Sequence, residues 1–197
     1  MSNWVTISFS ALCLLHLAGC GDIGRGRYSQ ASLKMAILPV HSGAAMSATF
    51  LPLLDYLSSE TGYEIQYISS LTYDGFGAAV ESAGATLALC DPLTFLTLKR
   101  TQRAQALAIG IDAAGGRTSS GLIVVGASSL VKNISQLRGM RIACIARQSS
   151  HGYLSQALSL RAAGIVLPDD ARLITCGTME EAAALVRTGR AAAAFLN

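Results

Sequence analysis

Short apolar runs alternate with helix-periodic segments along this chain, and the alternation restricts the possible folds more than any other feature of the sequence. The first strand-like run is LKMAIL (33–38), and the segment after it places apolar residues at helix spacing from Phe50 to Leu57. Further strand-like runs occur at 63–68, 86–90, 104–111, 122–125, 141–146, 171–176 and 190–197. Strands that alternate with helices predict an α/β fold with helical crossovers between the strands.

A stretch rich in glycine and serine, DAAGGRTSSG (112–121), interrupts the alternation near the middle of the chain. Such a composition is typical of a linker. We therefore predict an α/β first lobe over 33–111, a crossover over 112–121 and an α/β second lobe over 122–197. Two lobes joined in this way form a cleft, and folds of this kind usually bind their ligands there.

The N-terminal segment 1–20 is apolar and free of Lys, Arg, Asp and Glu, and it ends in the sequence LAGC. An apolar segment of this length that closes on small residues is typical of a secretory signal. The ending resembles the bacterial lipobox, which implies cleavage before Cys20, lipid attachment to Cys20, and a periplasmic or cell-surface lipoprotein anchored to the membrane. An uncleaved anchor and a buried helix are the alternatives. The polar residues 21–32 then form a linker.

Three further cysteines, Cys90, Cys144 and Cys176, lack the Cys-x-x-Cys spacing of a metal or redox site. We interpret them as small buried apolar residues near strand ends. One disulfide in an oxidising compartment is the alternative. The sequence predicts neither a metal site nor a cofactor.

Charge and motifs argue against two functional classes. The formal net charge is +3, and the Lys and Arg residues are scattered rather than gathered into a basic stripe, so we do not expect nucleic-acid binding. The sequence contains no Gly-x-Ser-x-Gly, His-Glu-x-x-His, Walker A or Gly-x-Gly-x-x-Gly motif. We therefore predict that the chain is not an enzyme.

Two serines, a histidine and a glycine directly precede a predicted helix in RQSSHGYLSQAL (147–158). One interpretation is an N-cap at Ser149 or Ser150, because a serine hydroxyl accepts hydrogen bonds from the first N–H groups of a helix. The other is an anion site, because those N–H groups lack partners within the helix and carry the positive end of its dipole. Taken alone, the residues favour the N-cap.

Three segments together resemble a known family. Residues 51–95, 133–165 and 176–194 follow, in order, the patterns of the substrate-binding proteins of phosphate, phosphite and phosphonate ABC importers, a branch of the type II periplasmic binding proteins. The resemblance implies a two-lobed fold of that type. It also implies a chain that captures a small oxyanion between its lobes and delivers it to an ABC permease and its ATPase. A ligand sensor or a degenerate module without transport is the alternative.

The resemblance places the family's Ser-Thr-Ser-Gly loop on Ser149, Ser150, His151 and Gly152. The two serine hydroxyls would then donate hydrogen bonds to ligand oxygens. His151 would donate from a ring nitrogen, with a site narrowed by its bulk as the alternative. Gly152 would admit the anion against the backbone. Arg147 would add a positive charge, with a solvated loop charge as the alternative.

The first lobe departs from the family at the aromatic positions and before a proline. Phe76 and Phe95 stand where the family has tyrosines, so they can wall the cleft but cannot donate a hydroxyl. Tyr73, three residues before Phe76, would supply that hydroxyl, with a packing role as the alternative. Asp91 stands where the family has glycine before Pro92. A carboxylate beside an anion site repels the ligand unless it points away.

The second lobe departs from the family at Met179 and Ala192, where the family has a histidine and an acidic residue that contact the amine of aminoalkyl phosphonates. We therefore expect a ligand without a positive group. The sequence stops at Asn197, about where the family's chain returns to complete the first lobe. We expect a first lobe without its C-terminal return, with uncovered apolar surface and marginal stability.

Overall fold

The structure, a computed structural model, describes residues 29–70, 72–111 and 113–197. The predicted signal segment with Cys20, and residues 21–28 of the predicted linker, lie outside the described residues. Residues 29–32 of that linker belong instead to the first strand. Within the described ranges, no helix is long and apolar enough to cross a membrane.

Strands and helices alternate as the sequence predicts. The strands are β1 (Ser29–Ile37), β2 (Tyr63–Ser69), β3 (Leu87–Leu89), β4 (Leu122–Val125), β5 (Arg141–Cys144), β6 (Arg172–Thr175) and β7 (Ala193–Leu196). The helices are α1 (Gly43–Thr61), α2 (Phe76–Ser82), α3 (Pro92–Gln102), α4 (Ser155–Ala162) and α5 (Met179–Arg187). A 3₁₀ turn covers Ile134–Leu137, and a π-helical turn, Ser150–Leu154, leads into α4. We refer to β1 through α3 as the first lobe and to β4 through β7 as the second lobe.

The first lobe is a parallel three-stranded sheet in the order β2-β1-β3. Residues on β1 alternate between its two faces, as the strand period of two requires. Met35 and Ile37 pack with Met46 and Leu54 of α1, whereas Ala36 packs on the other face with residues of α2 and α3. The central strand of this lobe is therefore covered on both faces.

The second lobe is a four-stranded sheet in the order β4-β7-β5-β6. β5 is parallel to both of its neighbours, and β4 is antiparallel to β7. Ile142 and Cys144 pack on one face and Ala143 on the other. Cys144 and Cys176 are buried, Cys90 is half-buried, and all three are free thiols. The interpretation of the cysteines as packed apolar residues is confirmed for Cys144 and Cys176.

The strand predicted over residues 104–111 is wrong. Helix α3 ends at Arg103, whose φ of 57° turns the chain into the left-handed region, and no strand follows before β4 in the described residues. Leu107, Ile109 and Ile111 are 82%, 68% and 63% exposed. A strand is stabilised by pairing with a neighbour, and no described segment pairs with this one.

The two lobes pack directly against each other. They share an inter-lobe cluster made of Ala36, Leu38, Tyr73, Phe76, Val80 and Leu98 from the first lobe and Ile145, Ala146 and Met179 from the second. Across the same interface the Met179 N–H donates to the Val40 carbonyl at 3.1 Å, and His41 Nδ1 lies 2.9 Å from Glu180 Oε1. The lobes are thus closed on one another.

Candidate anion-binding site between the lobes

The start of the π-helical turn places two hydrogen-bond donors of Ser150 side by side. Strand β5 ends at Cys144, and the short loop after it leaves Ser149 extended, at φ −79° and ψ 127°, as the N-cap. The Ser149 Oγ accepts from the Gly152 N–H at 2.9 Å. The Ser150 N–H and Oγ–H are left to point away from the turn, toward the first lobe. Ser149 is therefore the N-cap, and Ser150 has the outward-directed donors of an anion site. The two alternatives that the sequence left open are divided between neighbouring serines.

Both donors of Ser150 bind one oxygen of Asp91. The backbone N–H and the hydroxyl of Ser150 each lie 2.7 Å from Asp91 Oδ2, and the Tyr73 hydroxyl donates to the same oxygen at 2.8 Å. We call these three donors, the Ser150 N–H, the Ser150 hydroxyl and the Tyr73 hydroxyl, the oxyanion receptor. An oxyanion, the carboxylate of Asp91, occupies it.

Asp91 reaches the oxyanion receptor because it is the N-cap of α3. Its backbone is extended, at φ −76° and ψ 165°, and Pro92 follows in the first helical turn. Asp91 Oδ1 accepts from the Thr94 N–H at 2.8 Å, which is the usual capping bond. Capping uses one carboxylate oxygen and leaves Oδ2 directed across the interface.

The surroundings of Asp91 favour its ionised form. Burial acts to raise the pKa of the carboxyl, but the hydrogen bonds from Ser150 and Thr94 outweigh it and hold the pKa below its ordinary value. Burial raises the pKa of the Tyr73 hydroxyl, and the negative charge of Asp91 adds to the rise. Burial and the charge of Asp91 also raise the pKa of the Cys90 thiol to about 11. At neutral pH the receptor therefore holds a carboxylate with neutral donors.

The other predicted residues of the second-lobe loop have partners within that lobe or in the crossover segment before it. His151 Nε2 lies 2.8 Å from Ser119 Oγ, and its Nδ1 lies 3.1 Å from Ser150 Oγ. Arg147 is exposed, and its guanidinium carbon lies 5.9 Å from the centroid of the Tyr153 ring, a cation–π contact. Here the guanidinium lies over an aromatic ring of its own lobe.

Gly152 has a packing role in this structure. Its N–H is taken by Ser149, and a Cβ built on it would lie 2.7 Å from Ile145 Cγ1. Glycine thus lets the turn pack against the residue that follows β5. The Gly152 amide is bonded to Ser149 in this conformation, and the admission of an anion against Gly152 stays a prediction.

The aromatic positions of the first lobe differ from one another in burial. Phe76 is 1% exposed and lies in the inter-lobe cluster, so its ring is core in this conformation. Phe95 is half-buried on the first turns of α3. Tyr73 is buried and supplies the hydroxyl that neither phenylalanine carries.

Two departures from the family lie at opposite ends of the second lobe. Met179 is buried at the interface, and Ala192 donates its N–H to the Arg141 carbonyl at 2.8 Å, at the beginning of β5. Since the receptor follows the end of β5, Ala192 lies at the other end of that strand. Neither residue offers a polar side chain to a ligand.

Two contacts were not predicted from the sequence. One is the role of Asp91 as the acceptor, and the other is the bond that the Gln148 amide donates to the Asp74 carboxylate across the interface. The Asp91–Pro92 pair was the available signal, because Asp before Pro marks a helix start. The described residues bring no three His, Cys, Asp or Glu side chains together in a way that would hold a metal ion.

Comparison with solved structures defines the class of fold. A binding-protein component of an ABC phosphonate transporter from Pseudomonas aeruginosa matches with a TM-score of 0.76 at 17% identity, over 86% of this chain and 58% of that one. A Prochlorococcus marinus protein in complex with methylphosphonate matches with a TM-score of 0.67 at 19% identity, over 84% and 63%. A Xanthomonas citri protein bound to chloride ion matches with a TM-score of 0.62 at 22% identity, over 84% and 64%. The two α/β lobes are those of a type II periplasmic binding protein, as predicted.

The family follows from a match over most of the chain. Residues 35–197 match the family described as the periplasmic substrate-binding protein of phosphonate ABC transporters. The chain belongs to this family, which confirms the resemblance in its sequence. The family is one of solute-binding proteins rather than enzymes. The chain spans less than two thirds of the length of the solved proteins named above.

Proposed function

We propose that this chain is an extracytoplasmic solute-binding lipoprotein that captures a small oxyanion between its lobes and delivers it to an ABC importer. The solute would be a phosphonate, phosphite or phosphate-like anion. The single observation that supports this proposal is the oxyanion receptor, in which three donors from both lobes converge on one oxygen of the Asp91 carboxylate.

The chemistry of the receptor suits a phosphoryl oxygen as well as a carboxylate oxygen. Hydrogen bonds to an ionised acceptor are shorter and stronger than bonds between neutral groups, and the distances of 2.7 Å from Ser150 lie in that range. A backbone N–H at the start of a helical turn adds the favourable end of the peptide dipoles. Donors contributed by both lobes couple capture of the anion to closure, the movement typical of hinged binding proteins.

The apolar character of Met179 narrows the class of solute. Its side chain is buried in the inter-lobe cluster and is 6% exposed, so it offers no acceptor to an amine. An oxyanion without an amine therefore fits the apolar surface at Met179 better than an aminoalkyl phosphonate does. Family membership supports delivery to a permease and its ATPase, and the LAGC sequence ending at Cys20 supports the lipid anchor.

Calorimetric titration of the purified chain with phosphate, phosphite, methylphosphonate and sulfate tests the proposal. We expect saturable binding of at least one anion and its loss in Ser150→Ala. Ser59→Ala is the matched control, because Ser59 is an exposed serine whose hydroxyl bonds only within α1. No heat with any anion from folded protein, or equal binding by Ser150→Ala, would contradict the proposal.

The lipid anchor has a separate test. In a bacterial host fed with a radiolabelled fatty acid, we expect the chain to incorporate label and to fractionate with membranes. Cys20→Ala should abolish both, whereas Cys13→Ala, a second cysteine of the same segment, should leave the label in place. Equal labelling of the Cys20→Ala variant would exclude the lipobox.

A second candidate function is a module of the same fold that does not transport. The occupation of the receptor by Asp91 favours it, because a chain that fills its own site needs no solute to stay closed. Closed lobes without measurable binding of any anion, in the titration above, would favour this candidate over capture and delivery.

A further inference from the structure

The Asp91 carboxylate is bonded in a way that capping alone does not require. Helix capping uses only Oδ1, which accepts from Thr94. The second oxygen accepts three further hydrogen bonds, two of them from Ser150, which is 59 residues away in the chain and in the other lobe. Both oxygens are therefore engaged, and the inter-lobe bonds are additional to the cap.

We propose that Asp91 is a tethered ligand, whose carboxylate fills the oxyanion receptor and holds the two lobes closed in place of a solute. This inference rests on the proposed function, since it names the group with which a captured oxyanion must compete. The inference gives Asp91, on the first lobe, a role in determining specificity. From the sequence, Asp91 was expected only to repel an anionic ligand.

The closed interface around the receptor supports this role. The Met179 N–H bonds to Val40, the Gln148 amide bonds to Asp74, and the inter-lobe cluster buries apolar side chains from both lobes. Every donor of the receptor already has an acceptor in Asp91. The closed arrangement is thus complete in its hydrogen bonding with the chain's own groups.

A solute oxyanion and the Asp91 carboxylate exclude one another. The groups that stabilise the ionised carboxylate are the N–H and O–H donors of Ser150 and Thr94, which are dipoles without net charge. Two anions at adjacent positions repel. The Ser150 N–H and hydroxyl each lie 2.7 Å from Asp91 Oδ2, which leaves no room for a second oxygen at the same donors. A solute therefore binds only after Asp91 withdraws.

The tether lowers the apparent affinity for solute without changing the receptor itself. A carboxylate held on the same chain competes at an effective concentration in the millimolar range or above. The apparent dissociation constant rises in inverse proportion to the fraction of molecules whose receptor is open. If Asp91 fills the receptor nine-tenths of the time or more, its removal tightens solute binding about tenfold or more.

Asp91→Ser in the full chain tests the inference, because serine keeps an N-cap acceptor for Thr94 but is too short to reach Ser150. Asp55→Ser is the matched control, since it removes an exposed carboxylate in the middle of α1 that takes part in none of the inter-lobe contacts described above. Hydrogen exchange at the Met179 amide, which bonds across the lobes, reports opening. Calorimetry with inorganic phosphate reports binding. Asp91→Asn, of equal size, provides a second variant if the serine variant does not fold.

We expect the Met179 amide to exchange at least tenfold faster in Asp91→Ser than in the parent chain, and formate, a small untethered carboxylate, to slow it again. Phosphate should bind Asp91→Ser about tenfold or more tightly than the parent, with the Asp55→Ser variant close to the parent in both measurements. Unchanged Met179 exchange in Asp91→Ser would overturn the inference. Equal phosphate affinity in the parent and Asp91→Ser would overturn it too, while leaving the proposed function intact.

The remaining outcome separates the two proposals. If formate restores protection in Asp91→Ser but phosphate, phosphite and methylphosphonate neither bind nor protect, the tethered ligand is supported. In that case the proposed capture of phosphorus oxyanions fails.

Discussion

The two lobes enclose their sheets to different extents, although both alternate strands with helices. In the second lobe the neighbouring strands β5 and β7 lie between other strands, and Ile142, Ala143, Ala193 and Ala194 are fully buried. In the first lobe only β1 is central, β3 has three residues, and Leu89 on it is 37% exposed. The second lobe is thus the better enclosed of the two.

The difference bears on how each lobe contributes to the site. The receptor donors of Ser150 follow β5, a strand whose core positions admit no solvent, so their position is fixed by packing. Asp91 follows β3, a short edge strand, and its position depends on the α3 cap and on the bonds to the other lobe. We infer that the second lobe presents the two Ser150 donors of the receptor in a rigid position and that the first lobe supplies the group that moves.

The largest expected effect is the loss of stability when a buried leucine is shortened to alanine in the core of each lobe. Leu160→Ala in the second lobe should lower the free energy of unfolding by about 3–5 kcal/mol, because Leu160 is fully buried in a cluster of nine buried side chains, more than the four in the cluster of Leu54. Leu54→Ala in the first lobe should lower it by about 2–3 kcal/mol, because half-buried neighbours such as Phe50 can relax into the space. Urea unfolding measures both values. Equal or reversed losses would contradict the difference between the lobes.

The next largest loss of stability is expected when the negative charge of Asp91, which binds Ser150 of the other lobe, is removed. Asp91→Asn should lower the free energy of unfolding by about 1.5–3 kcal/mol at pH 7, because an amide nitrogen cannot accept from the donors that one carboxylate oxygen now serves. Thermal or urea unfolding of both chains measures the loss. The Asp74→Asn variant is the control, and we expect it to lose less.

The stability difference between the parent and Asp91→Asn depends on pH with a definite sign. The folded pKa of Asp91 lies below its ordinary value, so its ionised form stabilises the fold fully above the ordinary pKa of aspartate, about 3.9. The contribution is then lost as the pH falls through the lower folded pKa. The stability gap between the parent and Asp91→Asn should be constant from pH 5 to pH 7 and should shrink below about pH 4. A gap that widened on acidification would contradict the assignment.

A smaller effect tests the packing of the receptor loop in the second lobe. Gly152→Ala should destabilise the chain by about 1–3 kcal/mol, because the added Cβ would lie 2.7 Å from Ile145 Cγ1 and the turn must shift. Gly126→Ala, where a Cβ meets nothing within 4 Å, is the control and should be close to neutral. Comparable stabilities of the two variants, measured by thermal unfolding, would show that the loop is not rigidly packed.

The smallest effect is at the exposed rim of the interface. His41 Nδ1 lies 2.9 Å from Glu180 Oε1, and the two side chains are 43% and 49% exposed. Exposed polar contacts of this kind contribute about 0–1 kcal/mol. His41→Ala should therefore change stability by less than about 1 kcal/mol, and added salt should reduce the change further. A loss comparable to that of Asp91→Asn would place the main inter-lobe contact at the rim instead of at the receptor.

Local patterns account for the part of the structure that the sequence predicted. The run 33–38 appears within β1, and the apolar spacing from Phe50 to Leu57 appears on α1, which ends at Gly62 with a φ of 72°. These features depend on periodicity and on the conformational freedom of one glycine. The run 104–111 is also apolar but has no strand partner in the described residues, so apolar composition alone predicted a strand that is not present.

The candidate site was only partly predictable for a related reason. The loop at Ser149 and Ser150 was identified from its small polar residues, and the structure gives these two serines different roles that no local pattern separates. The contact between Ser150 and Asp91 joins residues far apart in sequence, on separate lobes. Whether that carboxylate points toward or away from the donors depends on how the lobes close, which the sequence does not show.

The most direct test of the central claim is a phosphate titration followed at the Ser150 amide by NMR, in the parent chain and in Asp91→Ser. If Asp91 occupies the receptor, the Ser150 amide signal should move saturably with phosphate in Asp91→Ser, and should move only at about tenfold or higher concentration in the parent. A Ser150 signal that does not respond in Asp91→Ser, or that responds equally in both chains, would contradict the claim that Asp91 and the solute compete for one receptor.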